Sequence, residues 1–284
     1  VVNSKQLERL NDNYFSKYSP CPLKLRCGEE ILVYPTLVED GDDYYKCINL
    51  FNFEKDKLIK IKELDTDEQR KMKIQAMIEL QQMSYLEFLI RIVFPQDLEL
   101  LNNLARLIQI VLKEDYVYCY NDKGQPYLDD NGKPCICVGN DKGELKYYIN
   151  KTDFENLKQI ILNQNNADYD NREMSDDVKE IVEMYYKTKI GDTTPPNFEK
   201  QKIYVMVKMQ YTYKELKQLP LRMFLQIYNM CFDVETNLIN HILKSGFQAT
   251  EMELKHPLYQ PKRDFIAEAF TSKNTIDKIK NSLH

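Results

Sequence analysis

The sequence predicts an α+β protein, predominantly helical, with a small antiparallel β-meander and an N-terminal edge strand. Three observations carry that reading. Apolar residues recur at helical spacing through 66–113 and again from 198 to 243. Four of the eight glycines in 284 residues, Gly124, Gly132, Gly139 and Gly143, fall in one short stretch between β-rich runs. The apolar run Ile31-Leu-Val-Tyr-Pro-Thr-Leu-Val is interrupted by Pro35, which cannot donate to a ladder, so the strand belongs at a sheet edge or ends there.

Taken in order, 4–17 reads as a short helix with Ser4 as its cap and an apolar stripe of Leu7, Leu10, Tyr14 and Phe15. Ser19-Pro-Cys-Pro enforces an extended entry into the first strand. Asp40-Gly-Asp-Asp supplies a turn and an acidic start to a helix over 44–53. Within 66–113, Thr66 caps one helix, Ser84-Tyr-Leu-Glu has capping-box spacing for a second, and Pro95 separates the third. In that third helix Leu101, Leu104, Ile108, Val111 and Leu112 form the stripe.

Asn121-Asp-Lys-Gly, Asp130-Asn-Gly and Asn140-Asp-Lys-Gly are turn signals separating β-rich runs, and they predict a meander over 116–149. Thr152-Asp-Phe-Glu then opens a helix ending near Asn163. Polar and breaking residues predict a linker after it, with a short helix over 177–189. Helices follow over 198–209, from Thr212, and from Pro220 as first helical residue, with Gly246 as a C-cap; 262–284 reads as short amphipathic helices. The chain therefore divides into 1–115, mostly helical with the edge strand; 116–165, meander plus helix; 166–197, linker; and 198–284, helical.

Composition narrows the function classes. The net charge of −5 argues against a general nucleic-acid coat, which needs a basic surface to displace counterions. The charge is uneven: 198–284 carries a net of +4 and 1–197 a net of −9. Seven cysteines, an odd number at irregular spacing, fit reduced thiols rather than a disulfide framework. No run of 18 apolar residues exists to span a membrane. The chain opens Val1-Val-Asn with no Met and no apolar signal region, so its start reads as processed, trimmed or renumbered.

Motifs for chemistry are sparse, and no cofactor is implied. Cys135-x-Cys137 lacks the second pair a zinc site wants; Cys119 is the nearest further thiol, and buried thiols acting as small hydrophobes are the default. Asp122, Asp129, Asp130, Asn131, Asp141 and Glu144 do not follow calcium-loop spacing and read as turn formers. Of the three histidines, His241 lies in an apolar helix as a half-buried imidazole, His256 precedes a proline, and His284 is terminal. Neither a phosphate loop nor a dinucleotide fingerprint is present, since the glycines are taken by turns. Residues 203–232 have a helix-turn-helix outline with Lys214, Lys217 and Arg222 at the junction, beside Tyr211 and Tyr213. Any bundle with short loops produces that outline, so these five residues read first as a partner-binding patch, with nucleic acid the lesser alternative.

Several pieces occur in a familiar order: Ser19-Pro-Cys-Pro-Leu, Ile31-Leu-Val-Tyr-Pro-Thr-Leu-Val-Glu-Asp, Met83-Ser-Tyr-Leu-Glu-Phe-Leu, Leu219-Pro-Leu-Arg-Met-Phe-Leu and Ser245-Gly-Phe. Together they resemble tail-region proteins from phages of low-GC bacteria, described as tail assembly chaperones or tail-associated structural proteins. The resemblance implies a non-enzymatic phage protein binding other phage or host proteins in the host cytoplasm or within the virion. Self-association is compatible with it. It brings no catalytic residue, metal or cofactor. The alternatives from other classes are a nucleic-acid binder or nuclease working through the basic C-terminal part, and an inhibitor of a host defence enzyme.

Overall fold

In the computed structural model the described residues are 3–52, 55, 66–166 and 197–247. The fold is α+β and mostly helical, with two small antiparallel sheets. The chain forms two compact units, Val1–Asp168 with Tyr213–Phe224, and Tyr169–Thr212 with Leu225–His284. The helix expected over 177–189, those expected over 262–284, and His256 and His284 lie outside the described residues.

The first unit opens with α1 (Ser4–Asn13). Its cap is Asn3 rather than Ser4: the Asn3 side chain accepts from the Gln6 amide while Gln6 reaches back to the Asn3 amide, a reciprocal pairing that Ser4 is one residue too late to make. Strands β1 (Cys21–Lys24) and β2 (Glu30–Val33) pair antiparallel around a turn at Gly28. β2 stops before Pro35; instead Tyr34 donates its amide to the Val111 carbonyl, satisfying an orphan at a helix C-terminus. α2 (Gly41–Ile48) passes into a 3₁₀ turn, Asn49–Asn52.

The expected helical stretch 66–113 forms as α3 (Asp67–Gln82), α4 (Tyr85–Phe88) and α5 (Leu98–Leu112). Thr66 and Ser84 cap the first two as their spacing predicts. What spacing does not show is the π-helical turn, Leu89–Val93, continuing α4. There Phe94 donates to Leu89, five residues back, so it cannot serve the Ile90 carbonyl. The next residue in that register is Pro95, which has no N–H. The orphaned carbonyl accepts instead from the Tyr120 hydroxyl, 30 residues away in sequence.

β3 (Val117–Tyr118), β4 (Ile136–Gly139) and β5 (Leu145–Ile149) form the meander, in that order. Its turns are one device used three times. Asn121, Asp129 and Asn140 each accept with Oδ1 from the amides two and four residues on. A glycine follows three residues after each, Gly124, Gly132 and Gly143, at φ of 72°, 69° and 77°, where a side chain would be strained. The fourth glycine of the cluster differs. Gly139 ends β4, and a Cβ there would lie 3.1 Å from the Glu144 carbonyl oxygen and 3.3 Å from the Tyr118 ring.

α6 (Lys151–Asn165) begins earlier than the Thr152 box predicts, because Asn150 caps it by accepting from the amides of Thr152 and Asp153. It also runs past Asn163, and its polar last turn, expected to open a linker, is a buried clamp. Gln164 Nε2 donates to the carbonyls of Ser19 and Val33, each at 3.1 Å, and Asn165 Oδ1 accepts from the Thr36 amide at 2.8 Å. Alongside, Val38 donates to the Leu219 carbonyl and Leu221 to the Thr36 carbonyl, so late residues of the chain pair with early ones. The core around these bonds holds Phe15, Val33, Leu86, Phe88, Leu107, Val111, Phe154, Leu216, Leu221 and Phe224, all buried.

Three further helices are α7 (Phe198–Met209), α8 (Tyr213–Lys217) and α9 (Leu221–Phe247). α7 has the predicted ends. Pro220 precedes α9 rather than starting it, and its carbonyl accepts from the Phe224 amide. α9 is one continuous helix of 27 residues that passes through Gly246. No breaker interrupts it earlier, and its apolar residues keep helical spacing throughout.

Candidate functional site

The residues singled out by sequence occupy different settings. Lys214 and Tyr213 are exposed, and Tyr211 and Lys217 are half-buried. The Lys217 ammonium stands 4.8 Å from the centre of the Tyr213 ring, an i, i+4 pair on α8 held by the ring face. Arg222 is not at the surface at all. It is 7% exposed, and its guanidinium donates to the Asn163 carbonyl at 2.9 Å and to Asn11 Oδ1 at 2.8 Å. Both acceptors come from distant parts of the chain, which is why a surface-patch reading from sequence misplaces it.

The same burial decides the helix-turn-helix outline. A recognition helix presents its first turn to base edges. Here Leu221, Arg222 and Phe224 of that turn are buried, so it faces the interior of its own unit. The basic junction is reduced to Lys214 and Lys217.

The thiols are likewise placed by topology. Cys119 directly follows β3, whose last residue, Tyr118, faces Cys137 in the ladder, so the three thiols are neighbours in the meander. Among the described residues no three His, Cys, Asp or Glu side chains gather as metal ligands. Burial pushes the thiols of Cys21 and Cys119 up to about 12 and that of Cys47 up to about 11, so they stay protonated in neutral water. Cys135 is pushed up further by its hydrogen bond to Cys137 and by burial. These groups act as small core hydrophobes. Three acids of the meander turns are occupied: Asp129 accepts from amides of its own loop, Asp130 from the Tyr148 hydroxyl, and Glu144 from the Asn140 side chain.

The most distinctive surface belongs to the second unit. Within it, α7 crosses α9 near residues 228–235. The Tyr204 and Tyr228 rings meet edge to face at 5.6 Å, and Tyr228 stacks on Phe232. The Tyr204 hydroxyl donates to Glu235 Oε2 at 2.6 Å, and Lys208 pairs with the same carboxylate. Lys208 and then Tyr204 hold the Glu235 carboxyl below its usual range, while burial and the neighbouring carboxylate push the Tyr204 phenol up.

Through and beyond this contact the apolar spacing of α9 continues, and several of its large side chains are exposed. Phe232, Leu238, Ile239 and Ile242 are 56%, 59%, 55% and 61% exposed, and Met230 and Val234 are exposed beside them. Between residues 225 and 242 only Asp233 and Glu235 carry charge. His241, expected to be half-buried, is exposed on this helix. A row of large apolar side chains at such exposure is unusual for a surface whose only task is solubility. Sequence periodicity finds the stripe but reads it as core; only the packing reveals that it is uncovered.

No helix among the described residues is long and apolar enough to cross a membrane. No protein-family model, curated protein or solved structure matches the chain.

Proposed function

We propose that this is a non-enzymatic phage protein that binds partner proteins in tail assembly or as a virion component, and that α9 carries the binding face. The observation behind the reading is the exposed row Phe232, Leu238, Ile239 and Ile242 on a nearly uncharged helix. An apolar helix stripe of this kind is what a partner groove or helix accepts, and Phe232, Leu238, Ile239 and Ile242, at i, i+6, i+7 and i+10, lie along one side of the helix. Assembly proteins hold partners in this way without chemistry of their own. The resemblance in the quoted segments supports the phage-tail setting, and acting on newly made tail proteins places the work in the host cytoplasm. Burial of the α9 first turn leaves little support for the nucleic-acid alternative.

Co-expression with the tail tube and tape-measure proteins of the phage tests this. We expect at least one to co-elute with the wild-type chain and to be lost when Leu238→Glu and Ile239→Glu are combined, with the circular dichroism spectrum unchanged. A wild-type chain that elutes free of both proteins would count against the tail assignment.

A further inference from the structure

We infer that Lys158 is a reactive amine, a site where small aldehydes condense with its Nζ. The inference stands apart from the partner-binding reading, since Lys158 lies in the first unit, on the side of α6 that meets α4. Its Nζ is 4.2 Å from the centre of the Tyr85 ring and 5.4 Å from that of Phe51. Among the described residues no carbonyl or carboxylate hydrogen-bonds to it. An ordinary surface lysine keeps water on all three N–H groups; here two ring faces stand where much of that water would be, while the side chain remains half-buried and so within reach of a small molecule.

A second cation shares the cluster. Lys55 Nζ lies 5.9 Å from the centre of the Phe88 ring, and the Phe88 and Tyr85 rings are themselves neighbours at 5.9 Å. The groups acting on Lys158 therefore oppose one another. The ring faces and Glu155, one turn earlier in α6, favour the ammonium form. Burial, the largest cause, and the like charge of Lys55 disfavour it, and the balance lowers the proton affinity of Nζ from the usual lysine range. A desolvated lysine beside another cation is an arrangement that yields a nucleophilic amine near neutral pH.

The chemistry balances without an oxidant. The lone pair of neutral Nζ attacks the carbonyl carbon of the aldehyde, and an N–C bond forms as the C=O π electrons move to oxygen. That oxygen leaves as water with the two former Nζ protons, giving an imine. The flanking rings favour aldehydes with a small flat or apolar body, which can stack beside Nζ.

The test is residue-resolved mass spectrometry of the full chain after brief treatment with limiting formaldehyde and cyanoborohydride from pH 6 to 9. At pH 7 we expect Lys158 to be methylated several-fold faster than the exposed Lys142 and Lys214, with its rate rising at lower pH than theirs. Lys55→Gln should move that rise toward higher pH, and Glu155→Gln toward lower pH, circular dichroism confirming that both variants are folded. Labelling of Lys158 no faster than Lys214 at pH 7, or a profile that Lys55→Gln leaves in place, would overturn the inference.

Discussion

Asp153 illustrates how a single residue's role depends on depth. Its carboxylate is 1% exposed, and both oxygens accept from the Arg26 amide, at 3.2 and 3.1 Å. It therefore pins the β1–β2 turn to the start of α6. Burial outweighs those hydrogen bonds and raises its proton affinity in the folded state. The folded protein then holds this proton at pH values where the unfolded chain has released it. Stability from this group is full below the ordinary carboxylate pKa and falls as pH rises from there through the raised folded value. We expect the wild-type chain to lose stability relative to Asp153→Asn between pH 4 and pH 7, measured by urea unfolding at each pH. A relative gain over that range would mean that the two amide bonds outweigh burial. Arg222 makes the complementary point: sequence shows a cation, and only its two buried acceptors show that it serves as an internal strut.

Among the elements, those with local causes form where sequence places them. α7 has its predicted span, Thr66 and Ser84 cap their helices, with the reciprocal half of the box formed at Thr66 only, and the meander turns follow from an Asx residue and a glycine three positions later. Elements whose causes are distant depart from expectation. The π turn after α4 depends on Pro95 withholding a donor and on Tyr120, which follows α5 in the chain, supplying one. Tyr120→Phe removes that donor and leaves the Ile90 carbonyl unpaired, and we expect a loss of about 1–3 kcal/mol in chemical denaturation. An unchanged midpoint would show that the carbonyl finds another partner. At α9, periodicity and the absence of breakers specify a long helix but not which part of its stripe is covered. That depended on where α7 crosses it.

For the whole molecule, closure of the first unit rests on bonds between residues far apart in sequence. Asn165 holds Thr36 across 129 positions, and Gln164 holds Val33 across 131. Strand-like pairing of 36–38 with 219–221 then ties the two ends of that unit together. Asn165 is buried, so Asn165→Ala strands the Thr36 amide without water. We expect a cost of about 1–3 kcal/mol, read as a lower urea midpoint with an unchanged slope. A slope that also falls would mean that the unit no longer unfolds in one step.

The α+β class, the meander, the capped helices and the amphipathic α9 were determined by sequence alone, because spacing, proline, glycine and short polar side chains act within a few residues of themselves. Burial was decided only in the tertiary structure. It turned Arg222 into a strut, made Asn163–Asn166 a hub instead of a linker entry, left the α9 row exposed, and set Lys158 against two aromatic rings. Each of these outcomes depends on a partner many positions away, and no local pattern records which partner the fold will bring.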